Sequence, residues 1–327
     1  MEFTQVSNLD LEISRVTLGT WAIGGWMWAG TDEQKSIDTV LEAINKGVTT
    51  IDTAPVYGQG KSEELVGKAV KEYGNREDIQ LATKLGLQWD DNGNIERNSS
   101  RDRILKEVDD SLRRLQTDYI DIYQVHWPDL DTDFAETAET MKELLDSGKI
   151  RAIGVSNYSP EQMDAFREVA PIHVCQPPYN LFERGIENDI IPYCKKNNIS
   201  LLTYGALCRG LLSGKMDKDW TFKKGDLRRN ADPKFQGETF ENHLEAVEKL
   251  KEYASNNFDK KVIHLAVRWI LDKGVESAIW GARNPGQVTF DEVFGWELSD
   301  QQVKEVEQIV EEVVENPVSP AFMAPPE

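Results

Sequence analysis

The sequence predicts an α/β protein with a closed (β/α)8 barrel, the TIM-barrel architecture, from the order and length of its apolar segments. Eight short, nearly continuous apolar runs alternate with longer amphipathic segments over about 280 residues, close to the usual size of such a barrel. Runs of this kind are typical of strands buried on both faces. The competing arrangement, an open doubly wound sheet, usually carries an early G-x-G-x-x-G turn, which the sequence lacks. The predicted strands are Val16–Gly19, Thr50–Thr53, Gln80–Lys84, Ile120–His126, Ala152–Ser156, His173–Gln176, Ser200–Tyr204 and Ser277–Gly281.

Helical segments separate the predicted strands, with apolar residues recurring every three or four positions between capping residues. The first begins after Asp32, places Ile37, Val40 and Ile44 at helical spacing, and ends at Gly47. The other predicted helices begin at Ser62 or cover Ile104–Leu115, Phe134–Ser147, Pro160–Val169, Ile186–Asn197 and Val262–Lys273.

Further segments complete the predicted organisation as a single barrel domain over residues 1–327. Residues Gln5–Arg15, with a polar centre, are expected to form an N-terminal β-hairpin that closes the barrel floor. The polar stretch Lys215–Asn242, a long loop after the seventh strand, exceeds an ordinary connection and is expected to form a binding loop. An extra C-terminal helix is expected over Ser299–Glu315, followed by an irregular tail.

The acidic composition argues against several classes of function. The 327 residues carry a net charge of −20, which disfavours binding to nucleic-acid phosphates or to an anionic membrane. No stretch approaches the ~20 apolar residues of a spanning helix, and the first residues lack the apolar run of a signal peptide. The three cysteines form no disulfide framework, and the four histidines give no convincing metal-ligand spacing. We therefore expect a soluble cytoplasmic protein with no metal site and no nucleic-acid or membrane partner.

Ionisable side chains lie at the ends of the predicted strands: Asp52 ends the second, Lys84 the third and His126 the fourth. The carboxyl ends of barrel strands meet at one mouth, so these groups and Tyr57, in the loop after Asp52, are expected to meet there. A phenol with an ordinary pKa of ~10 is a poor acid at neutral pH unless a neighbouring cation lowers that pKa. We predict that Lys84 lowers the pKa of Tyr57 and that Asp52 orients Lys84. His126 is expected to orient a carbonyl oxygen.

Several motifs lie in and after these strands: DTAPVYG at 52–58, SEE at 62–64, ATK at 82–84, LQTDYIDIYQVH at 115–126 and GVSN at 154–157. In this combination the chain resembles the aldo-keto reductase family over nearly its full length. It is most similar to the bacterial NADPH-dependent general stress reductases, through LGTWAIGGW at 18–26, QPPYNLF at 176–182, WGAR at 280–283 and FMAPP at 322–326. The resemblance implies a catalytic tetrad of Asp52, Tyr57, Lys84 and His126, and a role in the stress response.

The resemblance also implies how a nicotinamide dinucleotide lies across the barrel mouth. Ser156, Asn157 and Gln176 would hydrogen-bond the nicotinamide carboxamide, and Tyr204 would stack on the ring. The full implied set of cofactor-binding residues is Thr20, Trp21, Asp52, Ser156, Asn157, Gln176, Tyr204, Gly205, Ala206, Leu207, Cys208, Arg209, Gly210, Lys215, Gly281, Ala282, Arg283 and Gln287.

Within that set, basic side chains are assigned to the cofactor phosphates. The backbone of 205–210, with the Arg209 side chain and Lys215, would follow the pyrophosphate. Arg283, helped by Gln287, would meet the adenosine 2′-phosphate, because a guanidinium engages phosphate bidentately. NADP is therefore expected over NAD. A local basic strip of Arg209, Lys215 and Arg283 is expected on an otherwise acidic protein.

The implied reaction is reversible hydride transfer between a nicotinamide and a carbonyl carbon, with Tyr57 as the general acid. Trp21, Trp26, Trp28 and Trp127 would form apolar walls that favour aromatic or small aliphatic aldehydes. A monomer is the expected assembly for this barrel.

Two alternatives remain open. One is a Schiff-base barrel enzyme that uses Lys84 as its nucleophile, which would need a depressed lysine pKa. We expect Asp52 to raise that pKa instead. The other is a non-enzymatic subunit on the same barrel that binds the dinucleotide and reports its redox state to a partner.

Overall fold

The computed structural model describes residues 1–90 and 92–326, and it confirms the predicted closed barrel. An antiparallel hairpin of Phe3–Gln5 (β1) and Glu12–Ser14 (β2) precedes the barrel. Val6, Leu11 and Ile13 from this segment are buried against inward-facing apolar residues of the barrel strands. The hairpin therefore closes the barrel floor, as predicted.

Eight parallel strands form the barrel, and each lies within two residues of its predicted bounds at either end. The remaining strands in chain order are Val16–Gly19 (β3), Thr50–Asp52 (β4), Gln80–Leu85 (β5), Leu87–Trp89 (β6), Ile95–Arg97 (β7), Ile120–Val125 (β8), Ile150–Ser156 (β9), Val174–Gln176 (β10), Ser200–Thr203 (β11) and Ser277–Gly281 (β12). The barrel closes in the circular order β3–β4–β5–β8–β9–β10–β11–β12. This order places the carboxyl ends of β4, β5 and β8 side by side.

The strands β6 and β7 form a second hairpin that the sequence analysis did not predict. They pair antiparallel, with Leu87 opposite Arg97 and Trp89 opposite Ile95. The hairpin follows the end of β5 directly and carries Trp89 to the barrel mouth. The Asn-Gly dipeptide at 92–93 is a turn signal that could have indicated it.

The helices surround the barrel largely as predicted. Asp32 caps the first through the Lys35 amide, and Ser159 forms a capping box with Gln162 at the start of the fifth. In chain order they are Glu33–Asn45 (α1), Lys61–Tyr73 (α2), Arg101–Leu115 (α3), Phe134–Asp146 (α4), Pro160–Arg167 (α5), Ile190–Asn197 (α6), Gly237–Phe258 (α7), Val262–Asp272 (α8) and Asp300–Glu311 (α9).

The helix α7 corrects the predicted extent of the long loop after β11. The loop ends at Gln236, and residues 237–242, which were assigned to it, form the start of the helix. Phe240, Leu244, Val247 and Leu250 are buried along one face of α7. Their helical spacing was present in the sequence, but the glycine and the many polar residues before it favoured a loop. We call residues 215–236 the binding loop below.

The C-terminal segment returns to the barrel mouth. After α9, Pro320–Met323 form a 3₁₀ turn, and Arg97 in β7 donates to the Pro325 carbonyl at 2.8 Å. Among the helices that the structure describes, none has the length and apolar character needed to cross a membrane.

Candidate active site

The four residues of the predicted tetrad meet at the barrel mouth. Lys84 Nζ lies 2.7 Å from Asp52 Oδ1, 2.9 Å from the Thr53 carbonyl oxygen and 3.4 Å from Tyr57 Oη. The ring centroids of Tyr57 and His126 are 5.7 Å apart in an edge-to-face arrangement. Lys84 and Asp52 are 1% and 3% exposed, whereas Tyr57 and His126 are only partly buried. The ion pair therefore lies beneath a phenol and an imidazole that remain accessible.

Two glycines let the loop that carries Tyr57 approach the loop after β3. A Cβ on Gly58 would lie 2.2 Å from the Gly24 carbonyl oxygen, and one on Gly24 would lie 2.6 Å from the Tyr57 backbone. Gly58 also has φ of +67°, which disfavours any residue with a side chain. The close contact of these two backbones fixes the position of Tyr57.

Burial dominates the protonation of this cluster and corrects one expectation. The pKa of Tyr57 is raised well above 10.0 by burial and by the charge of Asp52, so Lys84 does not lower it overall. Burial and the charge of Lys84 hold the pKa of His126 well below 6.5. The phenol is therefore protonated and the imidazole neutral near neutral pH, and each carries a proton that it can donate.

Asp52 raises the pKa of Lys84, as expected, but burial acts in the opposite direction and is the larger effect. The pKa of Lys84 is therefore lowered below 10.5. Its three hydrogen-bond contacts and its 1% exposure nevertheless leave the amine no approach for a substrate carbon.

Two glutamine side chains hold the other oxygen of Asp52. Gln176 Nε2 donates to Asp52 Oδ2 at 2.8 Å, and Gln124 Nε2 lies 3.4 Å from the same atom. Gln176 was predicted from the sequence, whereas Gln124, in β8 and two positions before His126, was not. Alternation along a strand places residues two apart on the same face, and this signal could have found it.

The predicted carboxamide ligands Ser156 and Asn157 are already linked to each other and to Tyr204. Asn157 Nδ2 lies 3.0 Å from both Ser156 Oγ and the His126 carbonyl oxygen, and Tyr204 Oη donates to Asn157 Oδ1 at 2.9 Å. Asn157 adopts φ of +62°, a conformation that asparagine tolerates better than most residues. This network fixes the Tyr204 ring at the mouth.

A cavity of ≈ 410 Å³ opens beside Asp52 and Tyr57. Five of the predicted cofactor residues do not line it: Ser156, Asn157, Gln176, Cys208 and Ala282. The predicted cofactor residues that do line it are Thr20, Trp21, Asp52, Tyr204, Gly205, Ala206, Leu207, Arg209, Gly210, Lys215, Gly281, Arg283 and Gln287.

The charge of Arg209 is not available to the cavity, which corrects the predicted basic strip. Its guanidinium donates to Asp232 Oδ2 at 2.5 Å and to Glu183, and the side chain is 3% exposed. Lys234 joins this buried cluster, with Nζ 2.9 Å from Glu183 Oε1. A buried guanidinium needs paired carboxylates. The place of Arg209 in the glycine-containing stretch 205–210 did not indicate that its side chain turns inward.

Arg228 and Lys261, which the sequence analysis missed, line the cavity together with Lys215 and Arg283. Arg228 pairs with Asp226 at 2.7 Å. The pKa of Arg283 is lowered by burial and by the positive charge of Arg228. A bound anion would stabilise the charged guanidinium against both effects, so this end of the cavity is suited to phosphate.

The binding loop is attached to the loop after β3. Leu227 N donates to the Met27 carbonyl at 2.9 Å, and Ala29 N donates to the Gly225 carbonyl at 3.3 Å. Between them, the backbones of Trp28 and Asp226 form an isolated antiparallel β-bridge. Together these two loops cover one side of the cavity.

Aromatic side chains form the remaining walls. Trp21 and Trp28 line the cavity, and the Trp21 ring stacks at 6.1 Å from Tyr57. The predicted Trp26 and Trp127 pack with Tyr57 in a separate apolar cluster, which Trp89 from β6 joins. The surface that a substrate would meet beside the Tyr57 hydroxyl is therefore largely apolar. In the residues that the structure describes, no group of three His, Cys, Asp or Glu is arranged to hold a metal.

Comparison with known proteins gives close relatives over the full barrel. A sequence profile described as the Aldo/keto reductase family matches residues 15–311. The chain is 57% identical to the aldo-keto reductase YhdN of Bacillus subtilis (strain 168) over 328 residues, covering 100% of this chain and 98% of YhdN. It is 36% identical to the NADH-specific methylglyoxal reductase of Escherichia coli (strain K12) over 305 residues, covering 88% of this chain and 91% of that protein.

Solved structures of other proteins match this chain both in architecture and in sequence. The glycerol dehydrogenase AKR11B4 from Gluconobacter oxydans matches with a TM-score of 0.89 at 52% identity, covering 98% of this chain and 99% of that one. An aldo/keto reductase from Klebsiella pneumoniae in complex with NADP and acetate matches with a TM-score of 0.70 at 27% identity, covering 91% and 92%. The chain therefore belongs to the aldo/keto reductase family, oxidoreductases that act on carbonyl groups and bind a nicotinamide cofactor.

Proposed function

We propose that this protein reduces aldehydes and ketones to alcohols with NADPH. The observation that carries the proposal is the position of the Tyr57 hydroxyl, 3.4 Å from Lys84 Nζ and at the edge of a cavity of ≈ 410 Å³. A protonated phenol beside a buried ammonium group is suited to giving a proton to a developing alkoxide.

The residues around the cavity fit a nicotinamide dinucleotide. Tyr204 offers a ring face, and residues of 205–210 border the central part. Gln176 lies outside the lining but contacts Asp52, which lines the cavity, and would offer its amide oxygen from there. Lys215 and Arg283 offer cations at the phosphate end. When bound, the cofactor supplies a hydride to the substrate carbonyl carbon.

The side chains of the protein supply the proton that the carbonyl oxygen receives. Tyr57 donates its hydroxyl proton to the carbonyl oxygen, and Lys84 stabilises the tyrosinate that remains. Asp52 keeps Lys84 in place through the 2.7 Å ion pair. His126, neutral at physiological pH, donates a hydrogen bond to the same oxygen as negative charge grows there.

The preference for NADPH over NADH is supported by the cations beside the cavity. Arg283 carries its charge in a partly buried position, and Arg228, which is paired with Asp226, lies nearby. A 2′-phosphate would be favoured there over a neutral hydroxyl. The relatives differ in this respect, since one in Escherichia coli is named NADH-specific and one from Klebsiella pneumoniae binds NADP.

The apolar walls support substrates of modest size. Trp21 and Trp28 border the cavity, and Trp127 packs with Tyr57 nearby, which favours aromatic or small aliphatic aldehydes. We extend the proposal to a single barrel domain that acts as a cytoplasmic monomer in the stress response. The supports for this extension are the barrel itself, the cysteine usage and the sequence resemblance.

Two alternative functions are tested by the same chemistry. In a Schiff-base enzyme, borohydride would trap a substrate adduct on Lys84, which the burial of that amine argues against. A redox-reporting subunit would bind the dinucleotide but turn over aldehydes negligibly.

A panel of aldehydes and ketones, assayed with NADPH and with NADH, tests the proposal. Oxidation of the cofactor is followed by the absorbance of the reduced nicotinamide. We expect turnover that is faster with NADPH at equal concentration. Cofactor binding without turnover of any carbonyl compound would favour the redox-reporting function instead.

A further inference from the structure

The far side of the Asp52 carboxylate is enclosed by a small ring of hydrogen bonds inside the barrel. Gln176 Nε2 donates to Asp52 Oδ2 at 2.8 Å and to Gln124 Oε1 at 3.2 Å. Gln124 Nε2 lies 3.4 Å from the same Asp52 oxygen. Gln124 and Gln176 are 0% and 1% exposed. The three side chains therefore form a closed ring of hydrogen bonds.

The chemistry of this ring fixes the orientation of both amides. A carboxylate accepts hydrogen bonds and cannot donate them, so both amide nitrogens must face Asp52. The two N–H groups of Gln176 are then used, one on Asp52 and one on Gln124. Two donors directed at two acceptors also fix the plane of the Gln176 amide. Its Oε1 is left pointing away from Asp52, and no donor among the described residues contacts it.

Gly154 provides the space that Gln124 occupies. The two residues are opposite each other in the register of β8 and β9. A Cβ on Gly154 would lie 2.6 Å from Gln124 Cγ. Since Gly154 has no positive φ, the contact with Gln124 and not the backbone conformation requires a glycine here.

We propose that Gln124 is a positioning residue that orients Gln176 so that its Oε1 accepts a hydrogen bond from the carboxamide N–H2 of the nicotinamide. This inference rests on the proposed function, because it concerns the same cofactor. Gln124 contacts neither cofactor nor substrate and acts through Gln176 and Asp52. The ring holds the Gln176 amide in place and leaves its Oε1 without a donor, so this oxygen favours dinucleotides that carry the carboxamide N–H2.

The 3-acetylpyridine analogue of NADP⁺ tests this selection, because a methyl group replaces its amide nitrogen. Binding of NADP⁺ and of the analogue to the full-length protein is titrated by quenching of tryptophan fluorescence, which requires no turnover. We expect the wild-type protein to bind NADP⁺ about tenfold more tightly than the analogue. Gln124→Met keeps the side-chain volume but breaks the ring, and it is expected to reduce this ratio to about threefold or less.

Two further variants show whether the hydrogen-bond ring of Asp52, Gln124 and Gln176 is responsible for the discrimination between NADP⁺ and the analogue. Gly154→Ala retains Gln124 but displaces it, and it is expected to reduce the ratio as Gln124→Met does. Thr17→Val is the matched control, since it removes a buried 2.8 Å hydrogen bond to Ser277 elsewhere in the barrel. We expect the control to leave the ratio unchanged.

Gln124→Glu adds a test by pH. When protonated, the introduced carboxyl group accepts from Gln176 and donates to Asp52, as the amide does. When ionised, it repels Asp52. The ratio for this variant is expected to rise from about threefold at high pH toward about tenfold at low pH. Asp52, with Lys84 and Tyr57 beyond it, faces this position in every variant, so the wild-type protein at each pH is the control.

The outcomes separate this inference from the proposed function. If the wild-type protein binds NADP⁺ but does not discriminate against the analogue, or if Gln124→Met keeps the wild-type ratio, the inference is wrong and the proposed function stands. If the wild-type protein binds neither dinucleotide, the proposed function fails and the inference with it. Should Gln124→Met not fold, Gly154→Ala and Gln124→Glu provide the same comparison.

Discussion

Lys84 and Lys234 are both fully buried, but Lys84 lies beside a phenol that lines the cavity, whereas Lys234 lies between carboxylates that are paired inside the protein. Lys84 pairs with the single carboxylate of Asp52 and lies 3.4 Å from the Tyr57 hydroxyl. Tyr57 lines the cavity, so the charge beneath it acts on a phenol that a ligand can contact. The buried lysine therefore influences a reactive group without being exposed itself.

The charges around Lys234 are paired with one another. Lys234 and Arg209 share two carboxylates, Glu183 and Asp232, so two positive charges are balanced by two negative ones. The Phe322 ring from the C-terminal tail lies 4.7 Å from Lys234 Nζ and covers the cluster. The charged groups of this cluster hold the loops that carry these residues together with the C-terminal tail. The comparison teaches that burial of a charged group does not by itself mark an active site.

The largest expected effect distinguishes these two lysines directly. Lys84→Met is expected to lower turnover roughly 10³-fold, because Tyr57 loses its ammonium neighbour. Lys234→Met, the matched variant, is expected to retain turnover close to wild type in the folded protein. Each substitution leaves buried carboxylates with fewer partners, so each is expected to lower the free energy of unfolding by ~3–5 kcal/mol. Steady-state assays at saturating NADPH and urea unfolding measure the two quantities.

Equal losses of turnover in both lysine variants would break the comparison. In that case the accessible phenol would not be what separates the two clusters.

The next effect compares a cation that faces the cavity with one that is enclosed. Arg283 is partly exposed, whereas Arg209 is paired inside the protein. Arg283→Ala is expected to raise the dissociation constant of NADPH about 10- to 100-fold and to leave that of NADH nearly unchanged. Fluorescence titration with both dinucleotides measures this. A similar loss for NADH would show that Arg283 does not meet the 2′-phosphate.

The smallest expected effect concerns the pH dependence of kcat/KM, which we expect to be absent around neutral pH. Tyr57 has its pKa raised above 10.0, so it stays protonated, and His126 has its pKa held below 6.5, so it stays neutral. We expect kcat/KM for an aldehyde at saturating NADPH to be flat between about pH 7 and about pH 9. A decline that begins inside this range would show that Tyr57, His126 or Lys84, whose pKa burial lowers, changes its protonation there.

The sequence allowed the fold and the tetrad to be predicted for local reasons. Each barrel strand is a continuous apolar run, and Asp52, Lys84 and His126 lie at the ends of such runs or directly after them, where the barrel topology brings them together. The helix α7 was missed because a glycine and polar residues precede its apolar face. Its bounds depend on packing against the barrel rather than on a local start signal.

The residues that the sequence did not reveal depend on where long side chains go after folding. Arg209 was assigned to a phosphate because of its neighbours in the chain, but two carboxylates from distant loops draw it inward. Arg228 lies in a loop of little regular structure, and only the folded loop shows that it borders the cavity. Alternation along β8 could have placed Gln124 on the same face as His126, but local sequence does not indicate its partners in β4 and β10.

The central claim, that Tyr57 supplies the proton in carbonyl reduction, is tested most directly by a single-turnover experiment. Wild-type protein and Tyr57→Phe are each loaded with NADPH and mixed with an aldehyde, and the loss of reduced nicotinamide absorbance is followed. We expect the variant to bind NADPH nearly as well as wild type but to react at least roughly 10²-fold more slowly. Oxidation of bound NADPH at the wild-type rate in Tyr57→Phe would contradict the claim.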